Sequence, residues 1–119
     1  MNNTNKRKFG KQGEGIAEQY LKSKGYEIIC KNFYTRRGEI DIVAQEKNFI
    51  VFVEVKTRTN CKYGTPAMAV NSKKIRHMKT AARIFLLLNQ YKHYDVRFDV
   101  IEIYVKKGKY QINHIQQII

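Results

Sequence analysis

Apolar residues recur along the chain with two different periods, and the change of period marks the predicted helices and strands. Between residues 10 and 23 the apolar positions, such as Ala17 and Leu21, repeat as they do on one side of a helix. Glycine is favoured just beyond the end of a helix, so Gly25 is predicted to stop this one. Beyond Gly25 the pattern becomes typical of β-structure.

Strand-like patterns predict five strands, with a second helix between the third and the fourth. The predicted strands span residues 26–34, 39–44, 49–57, 96–105 and 110–115. Residues 58–70 carry no period and contain Gly64-Thr65-Pro66. They are predicted to form a long loop, a length that is more often functional than idle. The order of elements is therefore α-β-β-β-α-β-β.

The second helix is predicted to begin at Asn71 or Ser72, either of which can cap it, and to end at about Gln90. Its buried face is marked by an apolar stripe that consists of Ile75, Met78, Ala82 and Phe85. A second stripe is basic and consists of Lys73, Arg76, Thr80 and Arg83. The helix should therefore bury one face and present cations on another.

The length and composition of the chain predict one folded domain. Its 119 residues are close to the commonest domain size, and 43% hydrophobic residues are typical of globular proteins. Residues 1–8 are rich in basic side chains and are expected to form a flexible arm, which leaves residues 9–119 as the domain. Cys30 and Cys61 match no zinc or CxxC spacing, so both are expected to be free thiols.

The charge of the chain predicts a polyanionic partner. The sequence has 23 Lys and Arg residues against 10 Asp and Glu, a formal net charge of +13. Nucleic acid is the leading candidate, although an anionic membrane or ribosomal RNA fits the charge equally well. No apolar run approaches the ~20 residues that span a bilayer, and residues 1–8 do not resemble a signal peptide. We therefore expect a cytosolic protein. The expected partner is nucleic acid, with no membrane partner and no small-molecule cofactor.

Two charged residues interrupt the apolar strand at residues 49–57. Glu54 and Lys56 lie two positions apart and so share one face of the strand. A buried carboxylate without a partner is costly. Three explanations are open: Lys56 neutralises Glu54, a metal ion does so, or this end of the strand opens into a cleft.

The hairpin register predicts which residues face this pair. A two-residue turn at Lys47-Asn48 would place Asp41 directly across from Glu54, and Glu39 across from Lys56. Opposed carboxylates, with side-chain roots only ~5 Å apart, destabilise a sheet unless a cation lies between them. Oxygen ligands favour Mg²⁺ or Mn²⁺ as that cation.

A cation held by both carboxylates suits phosphodiester hydrolysis. It could bind a phosphate oxygen and stabilise the charge that develops in the transition state. Lys56 could orient or deprotonate a water, or neutralise charge on the phosphate. A solvated ion pair at the end of a strand is the structural alternative, because such pairs often imitate active sites.

The motifs around these residues resemble those of known nucleases. Gly38-Glu39-Ile40-Asp41-Ile42-Val43, followed by the Glu-x-Lys of residues 54–56, resembles the PD-(D/E)xK nuclease superfamily. A wider set of positions resembles the YraN-like family of bacterial proteins, which is similar to archaeal Holliday junction resolvases. These positions are Gly13, Glu14, Ala17, Tyr20, Leu21, the Gly-Glu-Ile-Asp segment, residues 52–58, Tyr63, Gly64, Ala69, Val70 and Lys74.

The resemblance implies a fold and a site. The fold is α/β, with a restriction-endonuclease-like α-β-β-β-α-β core and a mixed central sheet flanked by helices. The metal, Mg²⁺ or Mn²⁺, would be bound by Asp41, Glu54 and the carbonyl of Val55, with Lys56 serving catalysis. Glu14 would be the acidic residue of the first helix, catalytic and metal-binding. Its alternative is a carboxylate favoured by the helix dipole.

The implied function is metal-dependent endonuclease activity on DNA, with branched or Holliday junction DNA as the structured substrate. A junction resolvase cuts two strands symmetrically, which predicts a homodimer. Basic residues that flank the centre are expected to contact phosphates, namely Arg36, Arg37, Arg58, Lys62, Lys73 and Arg76. Two alternatives remain: a non-catalytic nucleic-acid-binding module with a nuclease fold, and an RNA- or ribosome-associated protein.

Overall fold

The computed structural model describes residues 3–58, 72–91 and 93–119 of the chain, with side chains from Gly10 onward. Within these ranges the elements are α1 (Asn3–Ser23), β1 (Glu27–Thr35), β2 (Gly38–Glu46), β3 (Phe49–Arg58), α2 (Ser72–Asn89), β4 (Asp95–Lys106) and β5 (Lys109–Ile115). The predicted order α-β-β-β-α-β-β is confirmed. Cys61, Lys62 and all but the first residue of the predicted loop 58–70 lie outside the described residues.

The first helix is longer than predicted. It begins at Asn3 and not at residue 10, so residues 3–8 of the expected arm are helical. Lys and Arg are good helix formers, and Gly10 costs only about 1 kcal/mol in a helix interior, which is too little to stop it. Gly25 ends the helix as predicted, with a φ of 91°. The amide of Tyr26 donates to the carbonyl of Leu21 at 3.0 Å, which satisfies the helix end.

The five described strands form one mixed sheet in the order β1-β2-β3-β4-β5. β3 and β4 are parallel, and the other neighbouring strands are antiparallel. Parallel strands need a long crossover, and α2 lies within that crossover. The mixed sheet and the α/β class are therefore confirmed.

Each face of the sheet is covered by one helix. α2 packs through Met78 and Phe85 on the face that includes Phe52, while α1 packs through Leu21 on the face that includes Val53. Both strand residues are fully buried, as predicted for a central strand. Burying a side chain of this size stabilises the fold by about 1.5–3 kcal/mol. The middle of β3 is thus a rigid base for the residues at its end.

Two glycines allow the helices to approach the sheet closely. A Cβ at Gly13 of α1 would lie 1.9 Å from Oγ1 of Thr57 in β3. A Cβ at Gly38, the first residue of β2, would lie 2.9 Å from Cβ of His77 in α2. Neither contact leaves room for a methyl group. α1 and the first half of α2 are therefore held against the same end of the sheet.

The alternation of faces breaks in β2. Ile40 packs in the core on the α2 side, whereas Ile42, two residues later, packs on the α1 side. Residues two apart in a regular strand share a face, so the strand is irregular at Asp41. In the neighbouring β1, Asn32 has a φ of 55°. Because β2 is irregular at Asp41, the side chain of Asp41 does not follow the alternation of faces in the rest of the strand.

A buried ionic network fixes the C-terminal part of the chain. Asp99 is fully buried and accepts hydrogen bonds from Nε and Nη2 of Arg97. Nε2 of His114 in β5 lies 2.7 Å from its Oδ2, and the amide of Gln117 donates to its Oδ1 at 3.1 Å. Burial alone would raise the pKa of Asp99, but these hydrogen bonds hold it below the ordinary value. The network joins β4 to β5 and the residues after it.

Two further observations concern expected properties. Cys30 is a free thiol. Among the described residues, no helix is long and apolar enough to cross a membrane.

Candidate active site

β2 and β3 form a tight hairpin whose turn is Lys47-Asn48, as predicted. Their paired residues extend from this turn to Ile42 and Val53, which confirms the predicted register over that length. The next residue beyond each of these is acidic, namely Asp41 and Glu54. The hairpin therefore delivers two carboxylates to the point where its ladder ends.

The ladder does not continue through the two acidic residues as predicted. Neither the expected pair Asp41–Glu54 nor the pair Glu39–Lys56 is among the paired residues of the described hairpin. Instead, Oδ2 of Asp41 accepts a hydrogen bond of 2.8 Å from the amide of Val55. A side chain here takes a backbone donor of the opposite strand, so the strands part and the carboxylate is held between them.

Asp41 is buried and its carboxyl group is hard to ionise. It is 8% exposed. Burial, followed by the charge of Glu54, raises the pKa of Asp41 to about 7, although the hydrogen bond from Val55 acts in the opposite direction. A carboxyl group with this pKa would be stabilised as an anion by a nearby cation.

Glu54 is still more buried, at 3% exposure. Its Oε1 lies 3.1 Å from Nζ of Lys74 and 3.4 Å from Nζ of Lys56. Its Oε2 is buried without a hydrogen-bond partner among the described residues. Buried polar atoms are nearly always satisfied, and an exception points to a missing partner such as an ion. The free oxygen of Glu54 therefore fits a cation ligand.

Glu14 on α1 belongs to the same electrostatic group. Burial raises its pKa, and so do the charges of Glu39 and Glu54, while a hydrogen bond with Asn32 lowers it. Glu14 in turn contributes to the raised pKa of Asp41. The carboxylates from α1, β2 and β3 thus repel one another, as expected of a site that awaits positive charge.

The described residues contain no set of three His, Cys, Asp or Glu side chains placed to hold a metal ion. The donors that fit are the carboxylates of Asp41 and Glu54, together with the predicted carbonyl ligand of Val55. These are hard oxygen donors, which suit Mg²⁺ or Mn²⁺. The assignment of Glu14 as a direct ligand stays a prediction.

Lys74 is a site residue that the sequence patterns did not single out as functional. It lies in the first turn of α2 and reaches Glu54 across the sheet–helix interface. Burial lowers its pKa, but the charge of Glu54 and a hydrogen bond to it outweigh burial, so the pKa of Lys74 is raised. Lys74 precedes the buried Met78 by four residues and therefore continues the apolar stripe of α2. A lysine in line with the apolar stripe of α2 is therefore the sequence feature that could have identified Lys74 as a site residue.

Four of the six predicted phosphate-binding residues are exposed, and they lie in two segments that meet. Arg36 and Arg37 are exposed in the turn between β1 and β2, and Lys73 and Arg76 are exposed on α2. The contact of Gly38 with α2 brings these two segments together. These four residues are called the basic surface below, and Asp41 and Glu54 the acidic pair. α2, which carries two of the four, also carries Lys74, the partner of Glu54.

Arg58 has a different environment. Its Nε donates a 2.9 Å hydrogen bond to Oε2 of Glu102, which is fully buried. Oε1 of Glu102 accepts a further hydrogen bond of 2.6 Å from the hydroxyl of Tyr104. An ion pair with a buried carboxylate holds part of the guanidinium and reduces its capacity to bind phosphate. Lys62, the sixth predicted contact, lies outside the described residues.

Comparison with known proteins identifies relatives that extend over nearly the whole chain. The model of the uncharacterised protein family UPF0102 matches residues 13–103. The UPF0102 protein of Caldanaerobacter subterraneus is 45% identical over 118 residues, which cover 97% of each chain. Its counterpart in Carboxydothermus hydrogenoformans is 42% identical over 97% of this chain and 98% of its own. The predicted family is confirmed, and these names describe no activity.

Proposed function

We propose that this chain, which belongs to the uncharacterised protein family UPF0102, is a metal-dependent endonuclease that hydrolyses phosphodiester bonds in DNA. One observation carries the proposal. Glu54 has a buried carboxylate oxygen without a partner among the described residues, beside a second buried carboxylate of raised pKa, that of Asp41. Such a pair is costly for a merely structural role and is suited to a divalent cation.

The arrangement of the sheet supports the same proposal. Asp41 and the Glu-x-Lys of residues 54–56 lie on adjacent antiparallel strands, and α2 follows before the parallel strand β4. This order agrees with the α-β-β-β-α-β core implied by the resemblance to PD-(D/E)xK nucleases. We therefore also propose that the chain belongs to that superfamily and has a restriction-endonuclease-like fold.

The cation in this proposal would be Mg²⁺ or Mn²⁺, and Asp41, Glu54 and the carbonyl of Val55 would hold it. When bound, it supplies a Lewis acid that polarises the phosphate and stabilises the charge of the transition state. The protein itself orients the ligands. The Val55 amide fixes the Asp41 carboxylate at 2.8 Å, and the buried core of β3 holds Glu54.

Lys56 has a part in the reaction that its position supports. Its Nζ is 3.4 Å from Oε1 of Glu54, and its side chain is 32% exposed. An ammonium group at the rim of the acidic pair can bind a phosphate oxygen and neutralise charge that develops there. Removing it should therefore lower the cleavage rate more than the affinity for DNA.

The basic surface supports a nucleic-acid substrate. Arg37 and Arg76 flank the contact between Gly38 and His77, and both are exposed. Guanidinium groups bind phosphates bidentately but read no bases when they contact the backbone. We accordingly propose recognition of DNA shape, with branched DNA as the substrate. We also propose that the protein is cytosolic and that it acts as a homodimer, which would cut two strands symmetrically.

The experiment that tests this function is a cleavage assay with Mg²⁺ or Mn²⁺ on junction, flap, single-stranded and duplex DNA. The expected result is cation-dependent cleavage that is strongest on branched DNA and is lost in Glu54→Gln and Lys56→Met. Lys47→Asn is a matched control, because Lys47 is exposed in the turn at the opposite end of β3 and Asn accepts its positive φ.

Two results would contradict the proposed endonuclease activity of this site. Cleavage that persists in both site variants would show that another site or a contaminant is responsible. No cleavage with any substrate, together with salt-sensitive binding of DNA, would identify a non-catalytic nucleic-acid-binding module.

A further inference from the structure

Lys74 connects a helix to the acidic pair. Its Nζ lies 3.1 Å from Oε1 of Glu54, closer than the 3.4 Å of Lys56. The Glu54 side chain is 4% exposed, whereas that of Lys74 is 34% exposed. Glu54 is therefore enclosed by the protein, while Lys74 is partly exposed to solvent.

We propose that Lys74 is an exchangeable counter-ion. Its ammonium neutralises Glu54 in the absence of a divalent cation, and when a cation is bound the same ammonium binds the phosphate that is to be cut. The inference rests on the proposed function. It assigns two roles to Lys74: neutralising Glu54 before the cation binds, and contacting the substrate phosphate afterwards. It adds a phosphate-binding residue to those that the motifs indicate.

Electrostatics favours the exchange. A divalent cation bound to Glu54 would lie within a few ångströms of the Lys74 ammonium, and like charges at that distance repel strongly in a site shielded from water. Lysine has a flexible four-carbon side chain and a compact charge, so its ammonium can move while its backbone stays in place. Lys74 thus competes with the cation for Glu54.

The position of Lys74 on α2 determines where the displaced ammonium goes. Lys73 and Arg76, its neighbours in the same helix, are exposed on the basic surface. Lys56, by contrast, extends from β3 of the sheet. An ammonium that leaves Glu54 therefore stays on the helix that also carries these two exposed cations.

A structural role for Lys74 makes a different prediction. If the ion pair served only to hold α2 on the sheet, its loss would loosen the site and weaken cation binding. If Lys74 competes with the cation, its loss must strengthen cation binding. The direction of the change in metal affinity separates the two roles.

The test is calorimetric titration of the DNA-free protein with Mn²⁺. Lys74→Met should bind Mn²⁺ about 5- to 10-fold more tightly than the unmodified protein, because a competing positive charge has been removed. Lys74→Arg, which keeps the charge, should stay within about 2-fold of it. Lys79→Met, an exposed lysine of the same helix, is the matched control and should bind Mn²⁺ unchanged.

Cleavage provides the second half of the test. At saturating Mn²⁺, Lys74→Met should cut junction DNA on the order of 10-fold more slowly despite its tighter metal binding, because a phosphate contact is gone. Equal or weaker Mn²⁺ binding by Lys74→Met, in a protein that itself binds Mn²⁺ and cleaves DNA, would overturn the role of Lys74 alone. A protein that neither binds Mn²⁺ nor cleaves DNA would overturn the proposed nuclease function as well.

Discussion

The amide of Val55 donates a 2.8 Å hydrogen bond to Oδ2 of Asp41, at the point where the pairing of β2 and β3 ends. This bond replaces a regular ladder contact with a contact to a side chain. It also places a buried carboxylate next to Glu54, whose charge raises the pKa of Asp41. The acidic pair is therefore built by an interruption of the hairpin.

Stability without a cation should fall as the pH rises towards 7. The folded chain keeps a proton on Asp41 up to a pKa of about 7, whereas the unfolded chain releases it near the ordinary value of 3.8. Folding is therefore disfavoured by rising pH between these two values, at a slope of at most about 1.4 kcal/mol per pH unit.

Thermal unfolding in EDTA between pH 4 and 7 measures this effect. Asp41→Asn has no titrating group at position 41, so the melting temperature of this variant relative to that of the unmodified protein should rise across that range. Adding Mn²⁺ at pH 7 should stabilise the unmodified protein but not the variant. Parallel pH profiles for both proteins in EDTA would contradict the raised pKa.

Gly13→Ala should destabilise the protein. The added Cβ would lie 1.9 Å from Oγ1 of Thr57 and 3.2 Å from its Cβ, so α1 must move away from β3. Overpacking of this kind costs about 1–3 kcal/mol. Urea unfolding checks the value.

Gly15→Ala is the matched control for this helix. Apart from the neighbouring residues and backbone of the helix itself, no heavy atom of the described residues lies within 4 Å of the added Cβ. Alanine is a better helix former than glycine, so the variant should gain about 0.5–1 kcal/mol. A loss of stability in both variants would mean that glycine is needed for another reason than the approach of α1 to β3.

Asp99→Asn should separate stability from function. Asp99 is fully buried between Arg97 and His114, and breaking a buried ion pair costs on the order of 3–5 kcal/mol. The pKa of Asp99 is lowered, so its contribution to stability is present above the ordinary carboxyl value and is lost as the pH falls below it.

Mn²⁺ affinity and cleavage by the folded fraction of Asp99→Asn provide the corresponding functional measurement. Asp99 lies on the α1 side of the sheet, whereas Glu54 contacts Lys74 on the α2 side. Both quantities should match those of the unmodified protein at a temperature where the variant is folded. A selective loss of metal binding would show that the buried network shapes the site.

The salt dependence of DNA binding should identify the basic surface. Arg37→Ala removes an exposed guanidinium beside the contact of Gly38 with α2. If Arg37 binds one phosphate, the slope of log K against log salt should decrease in magnitude by about 0.9. Lys47→Asn, at the opposite end of β3, should leave the slope unchanged, and an equal change in both variants would point to diffuse attraction without a defined surface.

Much of the fold could be predicted from local patterns. The burial of β3 followed from its apolar residues on both faces, and the register from the two-residue turn at Lys47-Asn48, because both depend on short stretches of chain. The start of α1 was missed because Gly10 resembles a boundary. The helix nevertheless tolerates it, since one glycine weakens a helix by only about 1 kcal/mol.

The part of the site that depends on a short stretch of chain could also be predicted. Asp41 and Glu54 are brought together by one hairpin, so their proximity was readable from sequence. Their hydrogen bonds were not, because the contact of Asp41 with the Val55 amide depends on where the strands part. Lys74 comes from a helix that is distant in sequence, and its place depends on how closely α2 approaches Gly38.

The most direct test of the central claim compares the rate of Mn²⁺-dependent cleavage of junction DNA by the unmodified protein and by Glu54→Gln, purified side by side. The substitution keeps the size of the side chain and removes the charge that would hold the cation. We expect cleavage by the unmodified protein and a rate lower by on the order of 100-fold or more in the variant. Equal rates in the two proteins, or no cleavage by either, would contradict the assignment of Asp41 and Glu54 as the centre of a nuclease.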